Sequence, residues 1–446
     1  MTLAPADIGR LLVALALLLS AAHGLGYALS RIRQPRVIGE ILGGLLLGPT
    51  VFGALFPEFQ AVVFPASGSV PLVLDAIYQL GLLLLMFCAG VEIRAAFRAG
   101  ERRTVAWVGA VGTVLPFLAG LGLLAFLDLE RSRGPAATGA SFLLVFAIAI
   151  AVTSIPVISR IMLDLGILET SFARIVLAVA VLEDVFLYVL LAIALGLAAR
   201  GPGEVYGLPG LLDLDPSGAA AVAYHVAATL AFLGISLVAG PPVYRRVLRF
   251  RYNVVRRGSA IGFQLVFMFL ATAAAVFLDV VPLFGAFVAG IVVASSSAKG
   301  TAVAREEIKN FSFAFFIPIY FAIVGLRLDL VREFDPLFFL WFSVFACVAK
   351  SVSVYLGARA SGESAATSTD LAIALNARGG PGIVLASVAL DADIISETFY
   401  STLVLLAIAT SIAAGSWLER AVRTGRPLRH EPARSTERPV AEADPY

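Results

Sequence analysis

The sequence predicts an all-α membrane protein of about thirteen transmembrane helices, arranged as inverted-topology repeats whose two broken helices cross near the bilayer midplane. Four observations predict it. Of 446 residues, 59% are hydrophobic and 14% charged, against roughly 25% charged in an ordinary soluble domain. Mean hydropathy is +0.92, and the apolar residues fall in runs long enough to cross ~30 Å of hydrocarbon as helices; they do not alternate as the strands of a membrane barrel do. Lysine and arginine alternate between rich and poor loops, 25 on one side of the map and 5 on the other, which predicts an odd number of spans with the N-terminus outside and the C-terminus in the cytoplasm. Finally, two Pro/Gly-rich interruptions lie seven spans apart. Seven is odd, so the corresponding spans run in opposite directions.

The runs, in order, cover residues 8–29, 37–56, 71–93, 104–127, 139–165, 172–199, 217–240, 258–278, 281–298, 310–326, 336–358, 367–390 and 397–418. The first lacks a basic start and a small-residue cleavage site, so it reads as a retained span rather than a signal peptide. The second follows Arg31, Arg33 and Arg36 and carries Gly39, Gly43, Gly44 and Gly48, a face suited to close packing and to a dimer contact. Glu40, one turn in, reads as an interfacial ion pair with that Arg cluster. The third run holds Cys88 and the eleventh Cys347; both read as small buried hydrophobes, with neither a disulfide framework nor a metal site in view.

Thr153, Ser154, Ile155 and Pro156 interrupt the fifth run, and a proline there frees backbone groups in mid-membrane. The sixth contains Glu183 and Asp184 at its middle. His225 opens the seventh and reads as a hydrogen-bonded interior side chain, and Arg327 with Asp329 mark the outer end of the tenth. The eleventh contains Lys350. The twelfth contains Asn376, Ala377, Arg378, Gly379, Gly380, Pro381 and Gly382, a run that no unbroken helix would choose. Residues 1–420 thus read as the transmembrane domain and 421–446 as a disordered cytoplasmic tail, too short for a folded regulatory domain.

An ionisable side chain at the bilayer centre costs about 2.5–3.5 kcal/mol on insertion scales. Glu183, Asp184 and Lys350 therefore need a reason. Neighbours on a helix point about 100° apart, so the two acids have different jobs: one meets Lys350 across a helix interface, and the other faces a water-filled cavity, holding either a proton or a hard cation. Two acids against one lysine leave a surplus negative charge, which a purely structural bridge does not need. A net charge of +2 with no basic stripe leaves no nucleic-acid footprint. Three scattered histidines and no cofactor motif count against a metalloenzyme or any other enzyme.

These residues resemble the monovalent cation:proton antiporters of the sodium/proton exchanger family, the bacterial cation:proton antiporter-2 type. The matching stretches are Gln34–Pro49, Leu82–Ile93, Thr153–Leu168, Ala178–Val185, Pro282–Gly290, Phe316–Asp329, Ala349–Gly357 and Asn376–Gly380. The resemblance implies a homodimer in a cell membrane, with scaffold spans 8–93 and 258–326, core spans 104–199 and 336–418, and a linker span 217–240. It implies that Asp184 carries the ion, that Glu183 pairs with Lys350, and that Thr153 and Ser154 are the polar residues of the broken helix, with Pro156, Asn376, Arg378, Gly379 and Gly380 forming the two breaks.

Glu183 departs from the Asp of electrogenic members and from the Asn or Gln of potassium-linked relatives; one methylene longer and still charged, it predicts a pairing with Lys350 of altered geometry. Gly380 and Pro381 stand where many relatives place a Glu. The implied activity is secondary antiport by alternating access: Na⁺ or K⁺ held by Asp184 and oxygens of Thr153 or Ser154, and released on protonation. A proton-uncoupled channel lacks a filter motif here, an organic-anion symporter on a similar fold would not need the charged set, and an intramembrane hydrolase lacks a nucleophile and base.

Overall fold

The computed structural model describes residues 3–32, 34–96, 101–124, 129–198, 207–211, 219–250, 252–296 and 299–429. Each expected span is a helix or a pair of helices. In chain order they are α1 (Pro5–Arg31), α2 (Arg36–Gly53), α3 (Ser69–Ala96), α4 (Arg102–Leu124), the halves α5a (Gly139–Ala151) and α5b (Ile155–Asp164), α6 (Ser171–Gly196) and α7 (Ala219–Arg249). Then follow α8 (Ala260–Phe277), α9 (Pro282–Ala294), α10 (Thr301–Leu326), α11 (Pro336–Ser361), the halves α12a (Ala365–Ala374) and α12b (Gly379–Asp391), and α13 (Glu397–Arg423). Among the described residues ten helices are long and apolar enough to span a membrane alone, α12a and α12b do so together with a 40° bend, and α5a and α9 are shorter apolar helices. The described residues form no strand; Arg133 and Ile395 make an isolated bridge.

Local chemistry sets the helix ends. Thr138 and Ser141 form a capping box at the start of α5a, and Thr170, Ser259, Asp335, Ser364 and Ser396 accept backbone N–H groups at the starts of α6, α8, α11, α12a and α13, each such cap contributing about 1 kcal/mol. Gly362 ends α11 in the left-handed conformation, φ 98°. The seventh helix does not stop at its Pro241–Pro242 pair but runs on to Arg249. That end carries exposed Arg245, Arg246 and Arg249.

The helices pack as two interleaved sets. α3 lies along α9, α1 along α2 and α2 along α10, while α4 lies along α11, α5a along α4 and α6, and α12b along α13. The glycines of α2 explain one of these contacts and correct one expectation. A Cβ at Gly44 would sit 1.7 Å from the Ala322 carbonyl oxygen, and one at Gly325 would sit 1.9 Å from that of Ile41, so α2 and α10 meet backbone to backbone. Gly39 and Gly43 meet α1 at Leu25 and Ala21 in the same way, and Gly48 meets Leu326. The glycine face is thus spent inside one chain and is not a dimer contact.

The start of the tail is also ordered. α13 extends to Arg423, Arg426 pairs with the buried Asp370 at 2.6 Å, and Arg429 pairs with Glu363 at 2.7 Å, fastening this segment to the ends of α11 and α12a. The 421–446 boundary therefore moves, and residues 430–446 lie outside the described residues.

Gly44→Val should lower the melting temperature of the detergent-solubilised protein by several degrees or more, because neither facing backbone can yield. Gly9→Val, where nothing lies within 4 Å, should leave it unchanged; equal melting of the two variants would contradict the close α2–α10 approach.

Candidate functional site

α6 places its two adjacent acids on different faces. Glu183 points towards α4 and α11, where its Oε1 lies 2.7 Å from Lys350 Nζ and accepts a hydrogen bond from Thr113 Oγ1 at 3.2 Å. Both partners of that ion pair are fully buried. The ammonium donates twice more, to the Gly112 carbonyl at 3.0 Å and the Ala151 carbonyl at 2.6 Å. All three of its protons are used. Asp184 is turned away: its side chain lines a cavity with Val37, Leu85, Ala89, Glu92, Tyr188 and Gly380, and its buried Oδ1 has no hydrogen-bond partner in the protein.

The break in the fifth span lies at Val152, Thr153 and Ser154. Pro156 falls in the first turn of α5b, where its missing N–H costs nothing, so it starts the second half-helix rather than breaking a continuous one. The last carbonyls of α5a have no helical partners and are capped by cations: Arg378 donates to Ala149 at 3.3 Å and Ile150 at 3.0 Å, and Lys350 takes Ala151. Positive charge at a helix C-terminus is also favoured by the aligned peptide dipoles. Arg378, among the largest buried side chains, additionally donates to the Ala346 carbonyl and to Asn376 Oδ1. Asn376 in turn donates to Ser351 Oγ and the Cys347 carbonyl, tying the twelfth-span break to α11.

The two breaks are joined directly. Thr153 Oγ1 donates to the Leu375 carbonyl at 2.5 Å, and the Ser154 N–H donates to the Ala377 carbonyl at 2.7 Å. Ser154 Oγ accepts the N–H groups of Val157 and Gly380, so one hydroxyl caps α5b and α12b together. Gly379 permits this crossing: at φ 23° its Cβ position lies 2.2 Å from Val157 Cγ2 and 2.7 Å from Ser154 Oγ, space no other residue could use.

Glu183, Lys350, Arg378, Asn376, Thr153 and Ser154 therefore form one connected polar centre, with Asp184 beside it. The hydroxyls of Thr153 and Ser154 bond to the crossing backbone, and neither hydrogen-bonds to Asp184. The charge arithmetic also differs from the sequence reading, since Arg378 adds a second buried cation and offsets the surplus acid. Two residues of the Asp184 cavity were not singled out from sequence. Tyr188, whose buried hydroxyl has no hydrogen-bond partner, lies one turn after Asp184, a spacing that could have revealed it. Glu92, at the end of an apolar run beside arginines, gave no such signal.

The cavity leads towards one end of the bundle. Val37, Glu92 and Phe313 also line a wide cleft of about 590 Å³ bordered by Arg36, Leu163 and Lys309. At the other end Arg327, just after α10, pairs with Asp391 of α12b at 2.6 Å, and Tyr78 of α3 donates to the second Asp391 oxygen at 2.9 Å. The guanidinium stacks 4.4 Å above the Tyr78 ring, which stacks in turn on Tyr320. His225 is interior, as expected, with Nδ1 3.2 Å from Asp279.

A sequence profile described as "Sodium/hydrogen exchanger, transmembrane" matches residues 14–424. The chain is 27% identical over 417 residues to the Na⁺/H⁺ antiporter NhaS4 of Synechocystis, covering 91% of this chain and 96% of that one. It is 28% identical over 401 residues to K⁺/H⁺ antiporter 1 of Saccharomyces cerevisiae, covering 86% of this chain but 43% of the yeast protein, and it spans about half the length of the plant relatives it matches. The solved structure of the sodium proton antiporter MjNhaP1 from Methanocaldococcus jannaschii shares the fold, with a TM-score of 0.66, 13% identity, and coverage of 94% of this chain and 99% of the other.

Removing Lys350 leaves Glu183 buried without its counter-ion. Lys350→Ala should destabilise the protein by about 3–5 kcal/mol, and Glu183→Gln in the same chain should restore part of the loss. Thermal melts of the two single variants and the double variant check this; additive losses would mean that the pair is not coupled.

Proposed function

This chain belongs to the sodium/hydrogen exchanger family, and from that premise we propose that it exchanges Na⁺ or K⁺ for protons across a membrane, with Asp184 as the carboxylate both ligands share. The observation that carries the reading is the contrast between the two adjacent acids. Each has one buried oxygen with no protein partner, but Glu183 is neutralised by a lysine whose three protons are all engaged, while Asp184 has no ion-pair partner among the described residues and lies on the wall of a cavity. A carboxylate so placed needs a proton or a cation.

The mechanism follows from that need. With Asp184 ionised, a cation entering through the cleft sheds part of its water and is held by the carboxylate, retained water and backbone oxygens, all hard ligands suited to alkali ions. Protonation cancels the charge and releases the cation. An empty, ionised Asp184 would carry a bare charge through the apolar bundle, which is expensive, so the site changes sides only when loaded. That penalty couples the two flows. Lys350 and Arg378 hold the half-helix end at the site in place, and Lys350 balances Glu183, so the cation meets a carboxylate that has no ion-pair partner of its own among the described residues.

Alternating access is supported by the asymmetry of the two ends. The core set, α4–α6 and α11–α13, would move against the scaffold set, α1–α3 and α8–α10, with α7 as linker. In the conformation described, the end lined by Arg36 and Lys309 is open, and the other is clasped by Arg327, Tyr78 and Asp391, a contact between the two sets. The arginine and lysine bias makes the open end cytoplasmic and the clasped end external. The working unit proposed is a homodimer in the cell membrane.

In proteoliposomes with an imposed pH gradient, Na⁺ or K⁺ should dissipate the gradient with wild-type protein and not with Asp184→Asn. Exchange by that variant at the wild-type rate would refute the shared-site mechanism. Asp391→Asn loosens the clasp and should raise labelling of a cysteine placed at Asp184's cavity, such as Ala89→Cys in a chain lacking Cys88 and Cys347, by an external thiol reagent. Unchanged labelling would show that Arg327, Tyr78 and Asp391 do not form the closed gate.

A further inference from the structure

The cleft that leads to Asp184 carries a second acid without an ion-pair partner among the described residues, Arg33 lying outside them. Its walls are α1, α2, α3, α5b and α10, and two carboxylates line it, Glu40 and Glu92. Glu92 is balanced, with Lys309 Nζ 2.8 Å from its Oε1. Glu40 is not. The sequence suggests an ion pair with the neighbouring arginines, yet the described residues give Glu40 no ion-pair partner. Arg36, one turn before it, is exposed, whereas Glu40 is 7% exposed and its buried Oε2 has no hydrogen-bond partner. His23, the other basic side chain of the cleft, directs its Nε2 to the Ala314 carbonyl.

An unsatisfied buried polar oxygen is costly, and more so when charged. Packing gives no reason to accept that cost on a helix that otherwise fits its neighbours through glycines: the cleft that Glu40 and Gly26 of α1 both line leaves room beside the carboxylate. The room, the orphaned oxygen and the position on the wall of the cleft are those of a site for a small cation. One negative charge without a second acid free to join it suits a monovalent ion rather than a divalent one.

We propose that Glu40 is a second cation-binding carboxylate, a stopover at which a monovalent cation is held between the open end of the bundle and Asp184. This rests on the antiport reading. Glu40 lies on α2 of the scaffold set and Asp184 on α6 of the core set, so Glu40 serves Asp184 only while the cleft is open. Its effect is therefore confined to one face of the membrane.

The test has two arms. In vesicles of defined orientation, Glu40→Gln should raise the half-saturating concentration of Na⁺ or K⁺ supplied at the cleft face by about tenfold, leave that at the opposite face as in wild type, and be largely rescued by Glu40→Asp. No shift, or equal shifts at both faces, would overturn the proposal. Independently of transport, purified Asp184→Asn protein should retain weak binding of radioactive Na⁺ or Rb⁺ that the Glu40→Gln, Asp184→Asn double variant lacks; equal binding would overturn it as well. A wild type that fails to exchange any cation would instead overturn the antiport reading, with the binding arm still deciding Glu40.

Discussion

The bundle is organised around the ammonium of Lys350. A helix broken in the middle of an apolar protein leaves carbonyls without helical partners, in a place where no water stands ready to take them. Lys350 takes one of these from α5a, one from the middle of α4 and the carboxylate of Glu183 on α6. Four elements are thereby fixed to one point. Arg378 does the same for the two preceding carbonyls of α5a while holding Asn376 and Ala346. Each half of the chain thus repairs the other's break: side chains from α11 and the twelfth-span break close the end of α5a, and Thr153 and Ser154 from the fifth-span break close the end of α12a.

That repair frees Asp184. Because Lys350 has no proton left to donate, and Arg378 is spent on carbonyls and Asn376, the second acid of α6 keeps an oxygen that only a bound ion, a proton or water can satisfy. Two adjacent carboxylates on one helix are thus a structural residue and a free one. The one-methylene extension of Glu183 fits this division, for its Oε1 reaches the ammonium at 2.7 Å and still accepts from Thr113.

Around this centre, glycine sets how close the helices come. Where α2 meets α10 and where α5b crosses α12b, any larger residue would overlap backbone or side-chain atoms. Close backbone approach gives rigid packing within each set of helices. At the clasped end the two sets meet in another way: Arg327 and Tyr78 reach Asp391 through side chains alone, and hydrogen bonds of that kind can be broken without repacking a core. The division is what the proposed alternating access would require.

The sequence by itself determined the spans, their alternating direction and the positions of the two breaks, because a bilayer admits few solutions and each leaves a composition signal. Apolar runs mark the helices, basic residues mark one set of loops, and Thr153–Pro156 and Asn376–Gly382 mark the breaks. The division of labour between Glu183 and Asp184 was legible for the same reason, from the 100° turn between helical neighbours. Tertiary structure alone decided which acid takes the lysine, that Arg378 is a second buried counter-charge, that the α2 glycines face α1 and α10 rather than another copy, and that Glu40 is buried in a cleft instead of paired at the surface. These depend on groups brought together from spans far apart in the chain, such as Arg378 and the carbonyl of Ala149, 229 residues apart. Periodicity reports which way a side chain faces on its own helix, and only packing supplies what stands opposite.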